Sequence, residues 1–538
     1  MTHPADRCAG HGLRRSGRSP RGPERSGQTS RHFPRRRVSQ TLSPNKDRPT
    51  DTRKSARPHG NRRPTARPDG RKTDRGDDAR DEGRRERPRA EGIAGLEVRR
   101  LAVEILGRVL SGRRTLDEEL DETTGSEDLR ALDARDRGLL RAILASAFRH
   151  RGRIEACLKR LLDKPVPEKS GLVSAILHVG ATQILHLEVP DRAAVSLAVT
   201  LAEADQRSYR YKGMVNAVLR RMSKEREELL AGTAEPWRDA PVWLFANWQR
   251  AFGEEAANAI AAMHRFEPNL DITVKADVDG WAERLGARRL GPSTLRLPHG
   301  AGRVDQLAGY DEGAWWIQDA AASIPARLLG DVCGLTVADL CAAPGGKTAQ
   351  LAAAGAKVTA MDISERRLRR LSENLARLGL EAEIVTGDLL TSSPGKRFDA
   401  ILLDAPCSAT GTIRRHPEVA WTRTQADVAD LAARQGELLA RAAGWLKPGG
   451  TVVYCTCSLE PQEGEAVVAA FLAENSGFTR QPIEAGETGL DGLEGAITPD
   501  GDLLTLPSLL GHDPAEQGGL DGFFAARLRR VAAEPVAS

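Results

Sequence analysis

The chain has 538 residues, 28% of them charged and 4% aromatic, with a formal net charge of +5 at pH 7. That length exceeds what one hydrophobic core organises and implies roughly two to four domains. No run reaches the roughly 18 consecutive apolar residues of a membrane helix, and the N-terminus lacks the apolar core of about 7–15 residues that marks a secretory leader, so membrane-spanning and secreted classes are set aside.

Residues 1–90 carry 26 Lys and Arg against 11 Asp and Glu, whereas the rest of the chain carries 53 against 63. Phe33 is the one aromatic residue among the first 92, and acidic residues recur from Asp47 onward, which argues against an organelle transit peptide. Such a segment cannot bury enough apolar area to offset its ordering entropy, so 1–92 is expected to be a disordered basic extension. It could neutralise RNA phosphates nonspecifically or act only as a solubilising tail; the sequence leaves both open.

From Leu96 the apolar residues take helical spacing. Leu101, Ile105 and Val109, then Leu139, Ile143 and Leu144, form stripes. Further helices are predicted at Ile154–Leu162, Leu172–Leu187, Ala193–Ala204 and Gly213–Met222, so residues 93–232 should be an all-α bundle. Its polar faces carry Arg135, Arg137, Arg141, Arg149, Arg151, Arg153, Lys159, Arg160, Arg220 and Arg221, either a solvated face or an RNA-binding one. Residues 233–330 read as a small α+β linker module, with strands at Leu270–Val274 and Thr294–Leu297. Its Trp237, Trp243, Trp248, Trp315 and Trp316 are core residues or stacking platforms.

Strands and helices then alternate through 331–531, ahead of a tail at 532–538. Strands are predicted at Thr336–Leu340, Lys357–Asp362, Ala382–Thr386, Phe398–Asp404, Thr451–Cys457 and Phe523–Leu528. Helices are predicted at Lys347–Ala353, Glu365–Leu378, Gln425–Leu446 and Glu463–Ala473. This is the pattern of a doubly wound, Rossmann-like α/β sheet, which makes the chain a multidomain protein with its ligand site outside the carboxyl ends of the strands.

The first of these strands ends in Asp339-Leu-Cys-Ala-Ala-Pro-Gly-Gly-Lys-Thr348. It is neither the GxGxxG run of a dinucleotide site nor a P-loop. A narrow glycine approach suits S-adenosylmethionine, which has no phosphate to cradle. Asp362 closes the second strand, where an acidic residue can hold ribose hydroxyls, and Asp388 after the third could accept from an adenine amino group. An ordinary tight turn with capping aspartates is the alternative.

Strand four runs into Asp404-Ala-Pro-Cys-Ser-Ala-Thr-Gly411 and strand five into Tyr454-Cys-Thr-Cys-Ser458, so two thiols and a carboxylate should meet beside the cofactor loop. Cytosine C5 is a poor nucleophile until a thiolate adds at C6. That chemistry needs a nucleophilic cysteine, a group stabilising charge at N3 and a proton acceptor. Cys455, two residues before Cys457, shares its face but lies deeper, and Cys333 and Cys341 read as packing residues. A zinc site from Cys407, Cys455 and Cys457 would lack CxxC pairing and a fourth ligand. Seven cysteines without regular spacing fit a reducing, cytoplasmic setting.

These motifs, with Arg414-Arg-His-Pro417 and Asp521-Gly-Phe-Phe524, resemble those of the RNA cytosine-C5 methyltransferases of the RsmB/NOP family. The helical segment resembles the NusB-like RNA-binding domain at Leu132-Asp-Ala-Arg-Asp-Arg137, Arg149-His-Arg-Gly-Arg153, Leu162-Asp-Lys164 and Val215-Asn-Ala-Val-Leu-Arg-Arg221. A NusB-like domain ahead of this catalytic domain is the arrangement of the RsmB (Sun) type. The resemblance spans about residues 96–531 and implies methyl transfer from S-adenosylmethionine to C5 of a specific cytosine in 16S, small-subunit ribosomal RNA. It implies Cys457 as nucleophile, Cys407 assisting release, Asp404 contacting the target base and Lys347 in the active-site loop. The implied cofactor set is Cys341, Ala342, Ala343, Pro344, Gly345, Gly346, Lys347, Asp362, Arg367, Asp388 and Asp404. Arg149, Arg151, Arg153, Arg414 and Arg415 would contact RNA, with no metal, no membrane and a monomeric chain. Two departures stand out: Cys455 where a small residue such as Ala is commoner, and Thr273-Val-Lys-Ala276 where an Arg-Val-Asn-like run is expected. The Gly- and Asp-rich stretch 484–519 reads as a surface loop. The same chemistry on transfer RNA, or a non-enzymatic RNA-binding protein keeping the sheet as scaffold, are the alternatives.

Overall fold

In the computed structural model, residues 93–112, 114–121, 125–511 and 518–532 are described. The extension at 1–92, and all but the first residue of the tail at 532–538, lie outside them. Helices Leu96–Leu110, Ala134–Arg149, Arg151–Leu161, Val173–His186, Asp191–Ala204 and Lys212–Lys224 pack about one apolar core. Leu101, Ile105, Val109, Ile143 and Leu144 are buried as their spacing requires, although Leu140 rather than Leu139 takes the fully buried position. Within the Leu132–Arg137 run, Asp133 caps the second of these helices by accepting from the Asp136 N–H at 2.7 Å.

The linker module is an antiparallel sheet of β1 (Asp271–Val274), β2 (Arg288–Arg289), β3 (Thr294–Arg296) and β4 (Trp315–Ile317) in the order β2-β3-β1-β4. The helix Val242–Met263 precedes it and escaped the sequence reading, because Gly253, at φ +85°, interrupts the helical run. Trp248, Trp315 and Trp316 are core residues, and Trp237 is exposed.

The third region contains β5 (Thr336–Leu340), β6 (Lys357–Asp362), β7 (Glu383–Thr386), β8 (Phe398–Asp404), β9 (Leu446–Thr456), β10 (Phe478–Arg480), β11 (Leu503–Thr505) and β12 (Phe523–Arg530). Their order is β10-β12-β9-β8-β5-β6-β7, with β11 on β12. Strands β5 to β9 are mutually parallel; β12 runs antiparallel to β9. The chain leaves β5 towards β6 and β7, then returns on the other side through β8 and β9. The switch point, where the loops after β5 and β8 part, is where an open α/β sheet forms its crevice.

The central strands β5, β6, β8 and β9 are largely buried on both faces, and amphipathic helices cover them, whereas the edge strand β7 is mostly exposed. The helix Glu365–Leu378 presents Leu368, Leu371, Leu375 and Leu378 inward; Ser364 caps its start, accepting from Arg367 N–H, and Gly379 at φ +62° ends it. Two expectations fail here. Cys333 is exposed rather than packed. Over its described residues, 484–511 and 518–519, the Gly- and Asp-rich stretch is not merely a surface loop, because Leu490, Leu493, Ala496 and Leu503 are buried against the sheet.

Candidate active site

The loop after β5 is held by its backbone. Ala342 N–H donates to Met361 O at 3.0 Å, and Ala343 N–H donates to the Asp362 carboxylate at 3.2 Å. Gly345, at φ +105°, begins the helix Gly346–Ala353, and a Cβ there would lie 2.7 Å from Leu371 Cγ. Only glycine meets both demands. Pro344 follows a cis peptide bond. Arg367 donates to Ala343 O and lies 3.3 Å from Asp362. Cys341, Asp362, Arg367 and Asp388 line one solvent-open pocket with Ile363, Gly387, Arg434 and others. Asp388 accepts from Leu390 N–H and lies 3.6 Å from Arg434.

Across the switch point, Lys347 Nζ donates to Asp404 Oδ2 at 2.9 Å and lies 4.9 Å from the centre of the Phe523 ring. Burial alone would lower the lysine pKa, but the Asp404 charge and its hydrogen bond outweigh this and raise it. The ammonium stays charged and fixes the carboxylate. Beneath the loop, Asp339 accepts from Thr348 Oγ1 at 2.6 Å, and burial pushes its carboxyl up to about 7.

The thiols separate by environment. Cys407 and Cys457 Sγ lie 3.5 Å apart and both are partly accessible. The hydrogen bond to Cys457, followed by burial, raises the Cys407 pKa well above its ordinary value. Cys455 is buried with Sγ 3.6 Å from Asp404 Oδ1, and burial raises its pKa too. Burial likewise pushes Cys341 up to about 12. Raised thiols stay protonated and are poor nucleophiles; Cys407 and Cys457 are the two thiols that share one accessible point beside the Lys347–Asp404 pair.

Glu463 was not foreseen. This fully buried carboxylate accepts from Ser408 N–H at 2.8 Å, Gln435 Nε2 at 3.0 Å, Ser458 Oγ at 2.6 Å and also Ser408 Oγ. Tyr454 OH donates to its carbonyl at 2.6 Å. Ser408 and Ser458 are the residues after Cys407 and Cys457, so one side chain ties the two thiol loops together. Gly411 N–H donates to Cys457 O at 3.0 Å, and a Cβ on Gly411 would lie 1.9 Å from Gly522 O. The one sequence cue to Glu463 is its place five residues after Ser458; its other three donor groups, two on Ser408 and one on Gln435, are distant in sequence.

The expected RNA-contacting arginines require correction. Arg149 is 9% exposed and donates to backbone carbonyls. Arg151 pairs with Glu155 at 2.6 Å, and Arg153 donates to Leu230 O at 2.7 Å. Arg414 is 1% exposed, and Arg415 lies between Asp319 and Asp521 at 2.5 and 3.0 Å. Arg149 and Arg414 are buried, where a charge needs protein partners, whereas Arg151, Arg153 and Arg415 are partly exposed. Arg135, Arg141 and Lys159 do face outward. Among the described residues no cluster of His, Cys, Asp and Glu is disposed to hold a metal ion.

The chain matches the family model described as 16S rRNA methyltransferase RsmB/F over residues 328–529 and the NusB family model over 96–224. It is 37% identical over 456 residues to ribosomal RNA small subunit methyltransferase B of Pseudomonas putida, covering 81% of this chain and 99% of that relative. The protein of the same name from Klebsiella pneumoniae is 35% identical over 420 residues, covering 74% and 96%. The crystal structure of PH0851 shares the fold at a TM-score of 0.62 and 23% identity, over 81% of this chain and 99% of that one.

Proposed function

The chain belongs to the RsmB/F family of 16S rRNA methyltransferases, and from that premise we propose that it methylates C5 of a cytosine in small-subunit ribosomal RNA through a covalent bond from Cys457 to C6. The observation that carries the reading is the pair of thiols 3.5 Å apart beside the Lys347–Asp404 ion pair at the switch point. S-adenosylmethionine, when bound, supplies the electrophilic methyl group. The pocket lined by Asp362, Ile363 and Asp388 suits its adenosyl part, with carboxylates for hydroxyl and amino donors and an apolar side chain for the ring.

The side chains are assigned the roles that the family resemblance implies. Cys457 adds to C6 as a thiolate, and the displaced electrons move onto the N3 edge of the ring. Asp404, hydrogen-bonded to Lys347, meets that edge, where the pair supplies a proton to N3 that is handed back when C5 takes the methyl group. After methylation solvent water takes the C5 proton, the C5–H electron pair re-forms the C5–C6 double bond, and the C6–S bond breaks with its electron pair returning to the Cys457 sulfur. Cys407, in contact with that sulfur, assists this release half of the cycle. Cys455 stays protonated beneath and takes no covalent part.

Bisulfite mapping of cytosines in total RNA, with and without this protein, tests the reading. One small-subunit site should lose its protection when the protein is absent; a transfer-RNA site instead would change the substrate. With cofactor and RNA supplied, Cys457→Ala should abolish methylation and adducts. Cys407→Ala should accumulate a denaturation-resistant protein–RNA complex, and Cys455→Ala should do neither. A trapped complex in the Cys457 variant, with none in the Cys407 variant, would reverse the two roles.

A further inference from the structure

The segment 408–423 is a loop with two anchors. At one end it meets the thiols: Ser408 on Glu463, Gly411 N–H on Cys457 O, and Arg423 Nε donating back to Ser408 O at 3.2 Å. At the other end it is held by the helical bundle. Arg149 Nη1 lies 2.9 Å from Arg414 O, 3.0 Å from His264 O and 2.9 Å from Phe266 O. Trp421 Nε1 donates to Phe148 O at 2.9 Å, and the Arg151 guanidinium lies 5.6 Å from the Trp421 ring centre. A Cβ on Gly152 would come within 1.7 Å of Arg238 O, so at this corner the backbones are in direct contact.

We propose that Arg149 is a positioning residue for methyl transfer: one buried guanidinium on the bundle holds the linker module and the Cys407 loop in register. Three carbonyls aimed at one cation would repel one another without it, and their burial keeps bulk solvent from taking its place. The Arg414 carbonyl is seven residues from Cys407, on a stretch already pinned at Gly411, so movement there is passed directly to the thiol pair. The bundle therefore does more than carry RNA: it braces the catalytic loop in the same chain. This inference rests on the proposed reaction, in which the spacing of the two thiols matters.

The test uses the full-length protein and its RNA, comparing Arg149→Gln, Arg149→Lys and Trp421→Phe with the parent. For Arg149→Gln, single-turnover methylation at saturating RNA should fall roughly tenfold to a hundredfold, the range for small misplacements of reacting groups. RNA affinity and its salt dependence should not change, and Arg149→Lys should recover part of the rate. Trp421→Phe, which removes the Nε1 donor and trims the indole while keeping an aromatic ring, should show a smaller loss of the same kind. Weakened RNA binding with a reduced salt slope and an intact rate would overturn the proposal and return Arg149 to phosphate contact. A lower melting temperature with unchanged single-turnover rates in both Arg149→Gln and Trp421→Phe would also overturn it, leaving only a structural role. A parent protein that methylates no RNA would strike the reaction itself, a result distinct from either.

Discussion

On the cofactor side of the site, the loop after β5 is shaped by its own backbone: main-chain N–H groups reach Met361 O and the Asp362 carboxylate, and Gly345 occupies a left-handed conformation. On the thiol side, two loops 50 residues apart are joined by the four hydrogen bonds that Glu463 accepts. The first wall is local and appears as a contiguous motif. The second is a side-chain network in which every donor depends on one acceptor, so it is rigid while complete and costly when broken. A wall that binds a flexible cofactor tolerates small shifts, whereas two sulfurs that act on one ring in the proposed reaction do not.

Glu463→Gln should give the largest effect. An amide offers one acceptor where the carboxylate offers two, and it turns its own N–H groups towards existing donors. Stability should fall by roughly 2–3 kcal/mol, and single-turnover methylation by about a hundredfold, while cofactor affinity by calorimetry stays unchanged. A parallel loss of cofactor binding would show that the two walls are not independent.

The brace behind the thiol side should respond to pH. Glu418 is buried near Asp117 and Arg149, and burial, with the Asp117 charge added, pushes its carboxyl up from 4.5 to about 7. A raised carboxyl means that the folded state binds the proton more tightly. Its contribution is therefore complete below about pH 4.5 and is lost as pH rises through 7, amounting to at most about 3 kcal/mol. Melting temperatures between pH 5 and 8 should fall less steeply for Glu418→Gln than for the parent; identical slopes would remove Glu418 from the account.

On the cofactor wall, Asp362→Ala should weaken S-adenosylmethionine binding by roughly 1–3 kcal/mol. The Cys407→Ala adduct should still form at saturating cofactor. Preference for NAD or ATP in the same calorimetry would end the cofactor assignment. The smallest change is expected far from both walls. Neutralising exposed Arg135 and Arg141 should lower the slope of log affinity against log salt by roughly one for each phosphate no longer neutralised, with turnover at saturating RNA intact. Equal slopes for variant and parent would make that face a solvated one only.

The sequence by itself determined the alternation of strands and helices after Thr336, the glycine turn after β5 and the meeting of Asp404, Cys407 and Cys457 at neighbouring strand ends, while Lys347 entered only through the family resemblance. It could do so because strand periodicity, glycine geometry and thiol chemistry are all properties of short stretches. Even the depth of Cys455 beneath Cys457 followed from the two-residue repeat of a strand. Only the tertiary structure decided which charges are spent inside. Arg149, Arg153, Arg414 and Arg415 are indistinguishable in sequence from Arg135 and Arg141, yet the first four satisfy buried carbonyls and carboxylates and the last two face solvent. Glu463 belongs with the buried group: its partners lie on the β8 loop, the helix Gln425–Ala443 and the segment after β9, and only the packing of that helix against the sheet brings them to one carboxylate.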